Sequence, residues 1–340
     1  MKQFNLCLLG FGNVGRALAA LLVRKRDEMR EGYGVEWRVT GVATRRAGWV
    51  VAPEGFGDAE LLSGEIPARE ASSRITDLPG WLAAARCDVL FETTSLEPLK
   101  GEPAVSHVRA ALRAGAHVVT ANKGTIVHAY AELNESARAA GRRFLFEATV
   151  ADCPVFSLFR GSLPCARLQG FGGVLNSTTN VILGEMEAGR TFDEGVRRAR
   201  ELGVTETDPA HDVDGWDSAV KTCAVANVLM GARLKLEDVR REGIRGLSDG
   251  QVRAARAEGE PYRLVARARR EADGSVSAGV RPERVAAPSP FALAEGTSLV
   301  LNFELDVLPG LTLIAHAPDL QSTAYGLLAD FINIAKDDRR

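Results

Sequence analysis

Residues 4–15 read F-N-L-C-L-L-G-F-G-N-V-G, an almost wholly apolar run that breaks into glycine at Gly10, Gly12 and Gly15. The apolar part suits a strand buried on both faces of a parallel sheet and ending at Leu9. From Val14 the chain continues V-G-R-A-L-A-A-L-L-V-R-K-R-D-E-M-R, with apolar residues three and four apart and stops at Gly32 and Gly34. That pattern predicts one long helix. Glycines spaced G-x-G-x-x-G are common in loops and mean little alone. Between a buried strand and a helix start they mean more, because the positive helix end turns backbone amides toward a pyrophosphate. The second glycine then allows close approach and the third close packing. Gly10, Phe11, Gly12, Asn13, Val14 and Gly15 are the expected dinucleotide contacts; a structural glycine turn is the bland alternative.

Residues 37–43 (W-R-V-T-G-V-A), 88–92 (D-V-L-F-E) and 117–120 (H-V-V-T) read as further strands, with a helix at 104–114. Alternating strands and helices predict an α/β fold with a Rossmann-type doubly wound sheet. In such a sheet the nicotinamide lies across the carboxyl edge, so Thr93, Thr94 and Ser95 are expected to form part of its floor. An acid closing strand two holds an adenosine 2′-hydroxyl, but Thr44-Arg45-Arg46 stands there instead. Arg45 and Arg46 beside a hydroxyl suit a 2′-phosphate, which favours NADP and keeps NAD as the alternative. Arginines that only solvate a loop are the bland reading. Residues 144–150 (F-L-F-E-A-T-V) read as a later strand, after which glycines at 170, 172 and 173 loosen the rhythm. The first domain is therefore taken as 1–150. The basic stretch 240–270 is helix-prone and interspersed with acids, which reads as a solvated face. Residues 286–290 read as an exposed turn and 322–336 as an amphipathic C-terminal helix.

At 340 residues the chain is long for one core and short for three, so two domains are expected. A composition 46% hydrophobic and 25% charged, with mean hydropathy -0.05, excludes disorder as the main state. Lys and Arg number 42 against 44 acidic residues, so there is no bulk electrostatic case for nucleic acid or an anionic membrane as partner. Cys7, Cys87, Cys153, Cys165 and Cys223 are scattered and never spaced C-x-x-C, which suggests neither disulfides nor structural zinc and fits a reducing cytoplasm. The apolar stretch 6–23 is broken by Asn13, Arg16 and glycines, and it has neither the length of a membrane span nor a signal-peptide cleavage site. A soluble, unprocessed protein is expected.

A second constellation runs Glu206-Thr207-Asp208-Pro209-Ala210-His211-Asp212-Val213-Asp214-Gly215-Trp216-Asp217, with Lys221 beyond it. Pro209 and Gly215 punctuate a loop, and Trp216 starts a helix. Asp217 and Lys221 stand four apart, so they share one helix face and can touch. An exposed helix pair with capping aspartates is the bland reading; the ligand alternation of a calcium loop is missing. In a site, the ammonium can protonate a developing alkoxide while the acids hold an amine.

Residues 199–221 read A-x3-G-V-T-x2-D-P-x2-D-V-x-G-x-D-x3-K, which resembles the signature of homoserine dehydrogenase. Thr120-Ala121-Asn122-Lys123-Gly124, the E-A-T-V run at 147–150 and Asn176-Ser177-Thr178-Thr179-Asn180 resemble further segments of that family, in the same order. The matches cover nearly the whole chain. The resemblance implies NAD(P)-dependent interconversion of L-aspartate 4-semialdehyde and L-homoserine, the small-molecule substrates. It implies a second, α+β domain at 151–320 for substrate binding and dimerisation, and a C-terminal helix at 321–340 packing back on the first domain. Lys221 is the implied acid and base with Lys123 beside it. Glu206, Asp212, Asp217 and Thr178 are the implied substrate contacts, Asn122 and Lys123 reach the cofactor, and main-chain oxygens of Glu147 and Val150 offer a monovalent cation site. A short form without a regulatory C-terminal extension is expected.

The chain departs from the family pattern at Ser177, where glycine is usual, at the shortened Ala151-Asp152-Cys153, and at Ala315-His316-Ala317-Pro318-Asp319, which replaces a glycine-rich turn. Residues 144–150, 297–307 and 312–315 are apolar strand-like runs outside the Rossmann pattern. Cover for them within one small domain looks scarce, so a homodimer built on those strands is expected, each active site within one subunit. Two rivals stay open: an aldehyde dehydrogenase using Cys153 as nucleophile, and a cofactor-binding regulatory protein without turnover.

Overall fold

β1 (Lys2–Leu9) lies at the centre of the first sheet, between β2 (Val35–Thr44) and β4 (Val89–Glu92), and is parallel to both. With β3 (Gly48–Val51), β5 (His117–Thr120) and β6 (Phe144–Leu145) the order is β3-β2-β1-β4-β5-β6. All neighbours are parallel except β3, which returns antiparallel on β2. Strand order reverses at β1, so the carboxyl ends of β1 and β4 form the topological switch point where α/β sheets bind ligands. The computed structural model describes residues 1–97, 99–205 and 208–337. They divide into two units, Met1–Pro154 with the chain from Asp319 onward, and Val155–Pro318.

The helix after β1 differs from the single run expected. It spans Asn13–Arg24, turns at Lys25, and resumes as Arg26–Tyr33. The first piece buries Leu18, Leu21 and Leu22, whereas the charged second piece buries only Met29. The break thus falls where an amphipathic helix gives way to a surface one. The strand expected over 144–150 is also corrected. Only Phe144–Leu145 pairs, as the sixth strand of the Rossmann sheet, and Glu147–Thr149 is a short 3-10 turn. The final helix, Leu320–Asp337, packs Phe331 edge-on against Phe4 at 5.4 Å and Phe91 at 6.1 Å. Gly326 brings that helix onto the 147–149 turn, since a Cβ there would lie 3.1 Å from Ala148 Cα.

The second unit carries β7 (Leu168–Val174), β8 (Arg240–Arg241), β9 (Tyr262–Arg270), β10 (Val276–Arg284), β11 (Leu299–Leu305) and β12 (Leu311–Ala315). Their order is β12-β11-β7-β9-β10-β8, antiparallel except for β8 on β10. Much of the basic stretch is therefore strand, not helix: β9 alternates Leu264, Ala266 and Ala268, all buried, with Arg267 and Arg269, both exposed. Only Asp249–Ala257 is helical there. The apolar side of β11, Leu299, Leu301, Phe303 and Leu305, is buried inside this unit, with Phe159 of the helix Val155–Gly161 at 5.2 Å from Phe303. Cover for that run is present, contrary to expectation. Part of the other face is charged, with Arg267 paired to Glu283 at 2.7 Å and Arg269 to Glu304 at 2.8 Å. Among the described residues no helix is long and apolar enough to cross a membrane.

Candidate active site

Each glycine of the first motif has a separate steric job. Gly10 sits at φ +95, and a Cβ there would lie 2.7 Å from the Thr93 carbonyl. A Cβ on Gly15 would lie 2.4 Å from Gly10 O, so helix and loop can pack only with hydrogen there. At Gly12 a Cβ would meet nothing within 4 Å. Gly12 also caps the helix Asn13–Arg24, whose first turn holds no acid. Space, unobstructed amides and a positive helix end coincide at Gly12, as a pyrophosphate requires. At the neighbouring strand end, Gly10 N donates to Ala43 O at 2.9 Å, which puts the turn after β2 beside the loop. Thr44 Oγ1 accepts the Ala47 amide at 2.8 Å and shapes that turn, and Arg45 and Arg46 on it are exposed.

Thr93, Thr94 and Ser95, expected in the nicotinamide floor, follow β4 directly. Thr93 Oγ1 donates to Gly10 O at 2.8 Å, and Thr94 Oγ1 donates to Glu92 Oε1. Both threonine side chains thus point into the scaffold, while Ser95 is exposed and lends its carbonyl to Asn122 Nδ2 at 3.3 Å. Asn122 is a tie and a cap: Nδ2 also reaches Thr94 O at 3.2 Å, and Oδ1 accepts the Gly124 amide at 3.0 Å. Lys123 follows as the first residue of the helix Lys123–Ala139. Glu92, absent from the sequence-based site, is fully buried at the end of β4.

In the second unit, helix Trp216–Leu229 is apolar nearly all round, and Ser218 to Asn227 are buried without a break. Between Ser218 and Leu229 its one charge is Lys221. Lys221 is only 9% exposed. The exposed-pair reading is thereby overturned. A buried ammonium needs partners: Nζ lies 2.8 Å from Asp217 Oδ2 and donates to Leu175 O at 2.6 Å. Asn176, capping the helix Ser177–Glu187, donates through Nδ2 to Asp212 Oδ1 at 2.7 Å and Asp217 Oδ2 at 3.1 Å. Asp212 Oδ2 has Thr178 Oγ1 and Thr205 Oγ1 each at 3.0 Å. Segments 175–178, 205 and 212–221 therefore meet in one polar cluster. Asn176 and Thr205 stand in the family-like segments without an assigned role, and Leu175 lies outside them, because their roles arise from contacts 36, 7 and 46 residues away. Glu206 lies outside the described residues.

The turn that carries Asp214 is held from the far side. Arg245 Nε meets Asp214 Oδ1 at 2.5 Å, and the Arg241 guanidinium stacks 3.7 Å from the Trp216 ring centre. Gly243 passes so close that a Cβ there would lie 2.3 Å from Val213 O. In the first unit the 3-10 turn Glu147–Thr149 and Val150 are buried and outside any strand ladder, and Glu147 N donates to Asp330 Oδ2 at 2.7 Å. Among the described residues no group of three or more His, Cys, Asp or Glu side chains is placed to hold a metal ion. Burial, with Glu147 and Asp152 nearby, pushes the Cys153 thiol up to about 12. A thiol held protonated is the opposite of an activated nucleophile.

Comparison with known proteins covers both units. The homoserine dehydrogenase family profile matches residues 154–332, and the profile of the homoserine dehydrogenase NAD-binding domain matches residues 10–147. The NAD(+)-dependent homoserine dehydrogenase of Pseudomonas canavaninivorans is 35% identical over 100% of this chain and 98% of its own. The homoserine dehydrogenase of Methanocaldococcus jannaschii is 30% identical over 99% of this chain and 100% of its own. The crystal structure of a homoserine dehydrogenase from Thiobacillus denitrificans superposes with a TM-score of 0.84 at 29% identity, covering 100% of this chain and 74% of that one. With both halves of the chain matched by profiles, relatives and a solved structure, this chain belongs to the homoserine dehydrogenase family, the nicotinamide-dependent oxidoreductases of amino-acid biosynthesis.

Proposed function

We propose that Lys221 is the acid and base of the interconversion of L-aspartate 4-semialdehyde and L-homoserine, the substrate being held by the second unit and the cofactor by the first. The observation that carries this reading is the buried Lys221 ammonium, held between Asp217 Oδ2 and Leu175 O. A bound reduced nicotinamide supplies the hydride that the aldehyde carbon accepts. Lys221 then gives a proton to the developing alkoxide, and in the reverse direction it takes the hydroxyl proton. Asp217, with Glu206, holds the substrate's polar end, and Lys123, the first residue of its helix in the first unit, is the second lysine this reading assigns to the reaction. Asp212 and Thr178 act at the same place by fixing the segments that carry these groups, as their mutual contact at 3.0 Å supports.

Arg45 and Arg46, exposed beside the loop of Gly10, support NADP as the preferred cofactor, since guanidinium groups suit a 2′-phosphate. The relative from Pseudomonas canavaninivorans, named NAD(+)-dependent, supports NAD as the competing reading. Main-chain oxygens of Glu147 and Val150, in and after the buried 3-10 turn that follows β6, are the ones this reading gives to a monovalent cation. Five free cysteines support a reducing cytoplasm. The deciding experiment is homoserine oxidation by the wild-type chain with NADP and with NAD, in potassium and in tetramethylammonium buffers. Turnover of homoserine supports the reading, and its absence with either cofactor refutes it. Equal rates in the two buffers refute the cation alone.

A further inference from the structure

We propose that Glu92 is a positioning residue for this reaction, the hub of a closed hydrogen-bond circuit that sets both the nicotinamide floor and the start of the helix bearing Lys123. Its side chain is 0% exposed and lies where β4 ends, yet neither the nucleotide loop nor the lysine chemistry uses it directly. Burying a carboxylate is costly unless donors surround it. Here Thr94 supplies two, its amide at 3.2 Å and its hydroxyl, both on Oε1. Thr120 Oγ1 lies 3.1 Å from Oε2 and 3.2 Å from the Glu92 main-chain oxygen, while His107 Nδ1, 3.6 Å from Oε1, is a nearby polar atom beyond hydrogen-bond reach.

The donors are not independent of one another. Thr120 Oγ1 also accepts the Asn122 amide at 2.9 Å. Asn122 Nδ2 returns to Thr94 O at 3.2 Å and Ser95 O at 3.3 Å, while its Oδ1 caps the next helix through the Gly124 amide. The circuit runs Glu92, Thr94, Asn122, Thr120 and back to Glu92. One arm fixes residues 94–95 after β4, and the other fixes the helix whose first residue is Lys123. Without the carboxylate, the Thr94 amide and hydroxyl lose their shared acceptor and the Thr120 hydroxyl keeps only the Glu92 main-chain oxygen at 3.2 Å, so the loop has reason to move.

This inference rests on the reading that this edge holds a nicotinamide near Lys123. The test uses the full chain and compares Glu92→Ala with Glu92→Gln, which keeps an acceptor for Thr94. Reduced-cofactor affinity is read by nicotinamide fluorescence, and the hydride step by the isotope effect with cofactor deuterated at C4. Glu92→Ala is expected to weaken the cofactor roughly tenfold and to raise the isotope effect, with Glu92→Gln within roughly threefold of wild type. In a double-mutant cycle, Lys123→Ala should cost much less in the Glu92→Ala background than in wild type, because that lysine is already displaced. If Glu92→Ala does not fold, Thr94→Val removes one donor while keeping the shape and should show the same shifts, smaller. Unchanged cofactor affinity and isotope effect in these variants, or full additivity with Lys123→Ala, overturns the role of Glu92. A wild-type chain that binds no reduced nicotinamide overturns the underlying reading as well.

Discussion

Lys221 combines properties that seldom meet in one side chain: it is charged, almost buried, and seated on a helix with no other charge after Asp217. Retaining such a group costs stability, so a role in proton transfer explains it better than packing does. Lys221→Ala is expected to lower kcat by roughly two to four orders of magnitude while the cofactor still binds. A loss of tenfold or less, with the pH profile unchanged, would remove Lys221 from the proton step. At Arg45 and Arg46 the expectation concerns selectivity. Replacing both with Ala should raise KM for NADP far more than KM for NAD, because only the former presents a 2′-phosphate. Equal changes in both constants would mean that the arginines only shape the turn after Thr44.

At the scale of elements, the final helix depends on a few aromatic contacts made far from it in sequence. Phe331 has no exposed surface and touches rings on β1 and β4, the two strands whose ends hold the glycine loop and Thr93. Phe331→Ala is expected to cost about 3–5 kcal/mol in denaturant unfolding of the first unit. Since the cavity would open beneath the switch-point strands, cofactor affinity should fall with it. A change below about 1 kcal/mol would show that the helix Leu320–Asp337 packs without depending on that ring. The 3-10 turn Glu147–Thr149 is a second case of long-range ordering, tied to the same helix through Asp330, 183 residues away. Local sequence preference reads E-A-T-V as strand because Thr and Val favour it. The turn wins because the helix offers Asp330 as acceptor and Gly326 as a close surface.

For the whole molecule, the proposed homodimer keeps only part of the basis expected from the apolar strands. The apolar face of β11 is covered within its own unit, whereas β12 leaves Leu311, Leu313 and Ile314 only partly buried, so that strand still offers apolar surface to a partner. Further support is the other face of the second sheet, where Arg267, Arg269, Glu283 and Glu304 place both signs of charge together, a pattern that can complement itself about a two-fold axis. Light scattering at low micromolar concentration is expected to return about twice the chain mass of 36.4 kDa. A stable, active monomer at that concentration refutes the dimer.

The sequence by itself determined the strand, glycine loop and helix of the nucleotide motif, the alternation that makes a doubly wound sheet, and the identity of the acidic segment with its lysine. Each is written in local spacing: burial on both strand faces, the helical repeat, and glycine where backbone or ligand must come close. Tertiary structure decided which way those residues point. Thr93 turns its hydroxyl to Gly10, 83 positions earlier, and Lys221 finds Leu175 O, 46 positions earlier. Glu92 becomes a hub only because β5 lies beside β4. Periodicity reports that a face is buried, but the partner of a buried polar atom is chosen by chain segments brought together only in the fold.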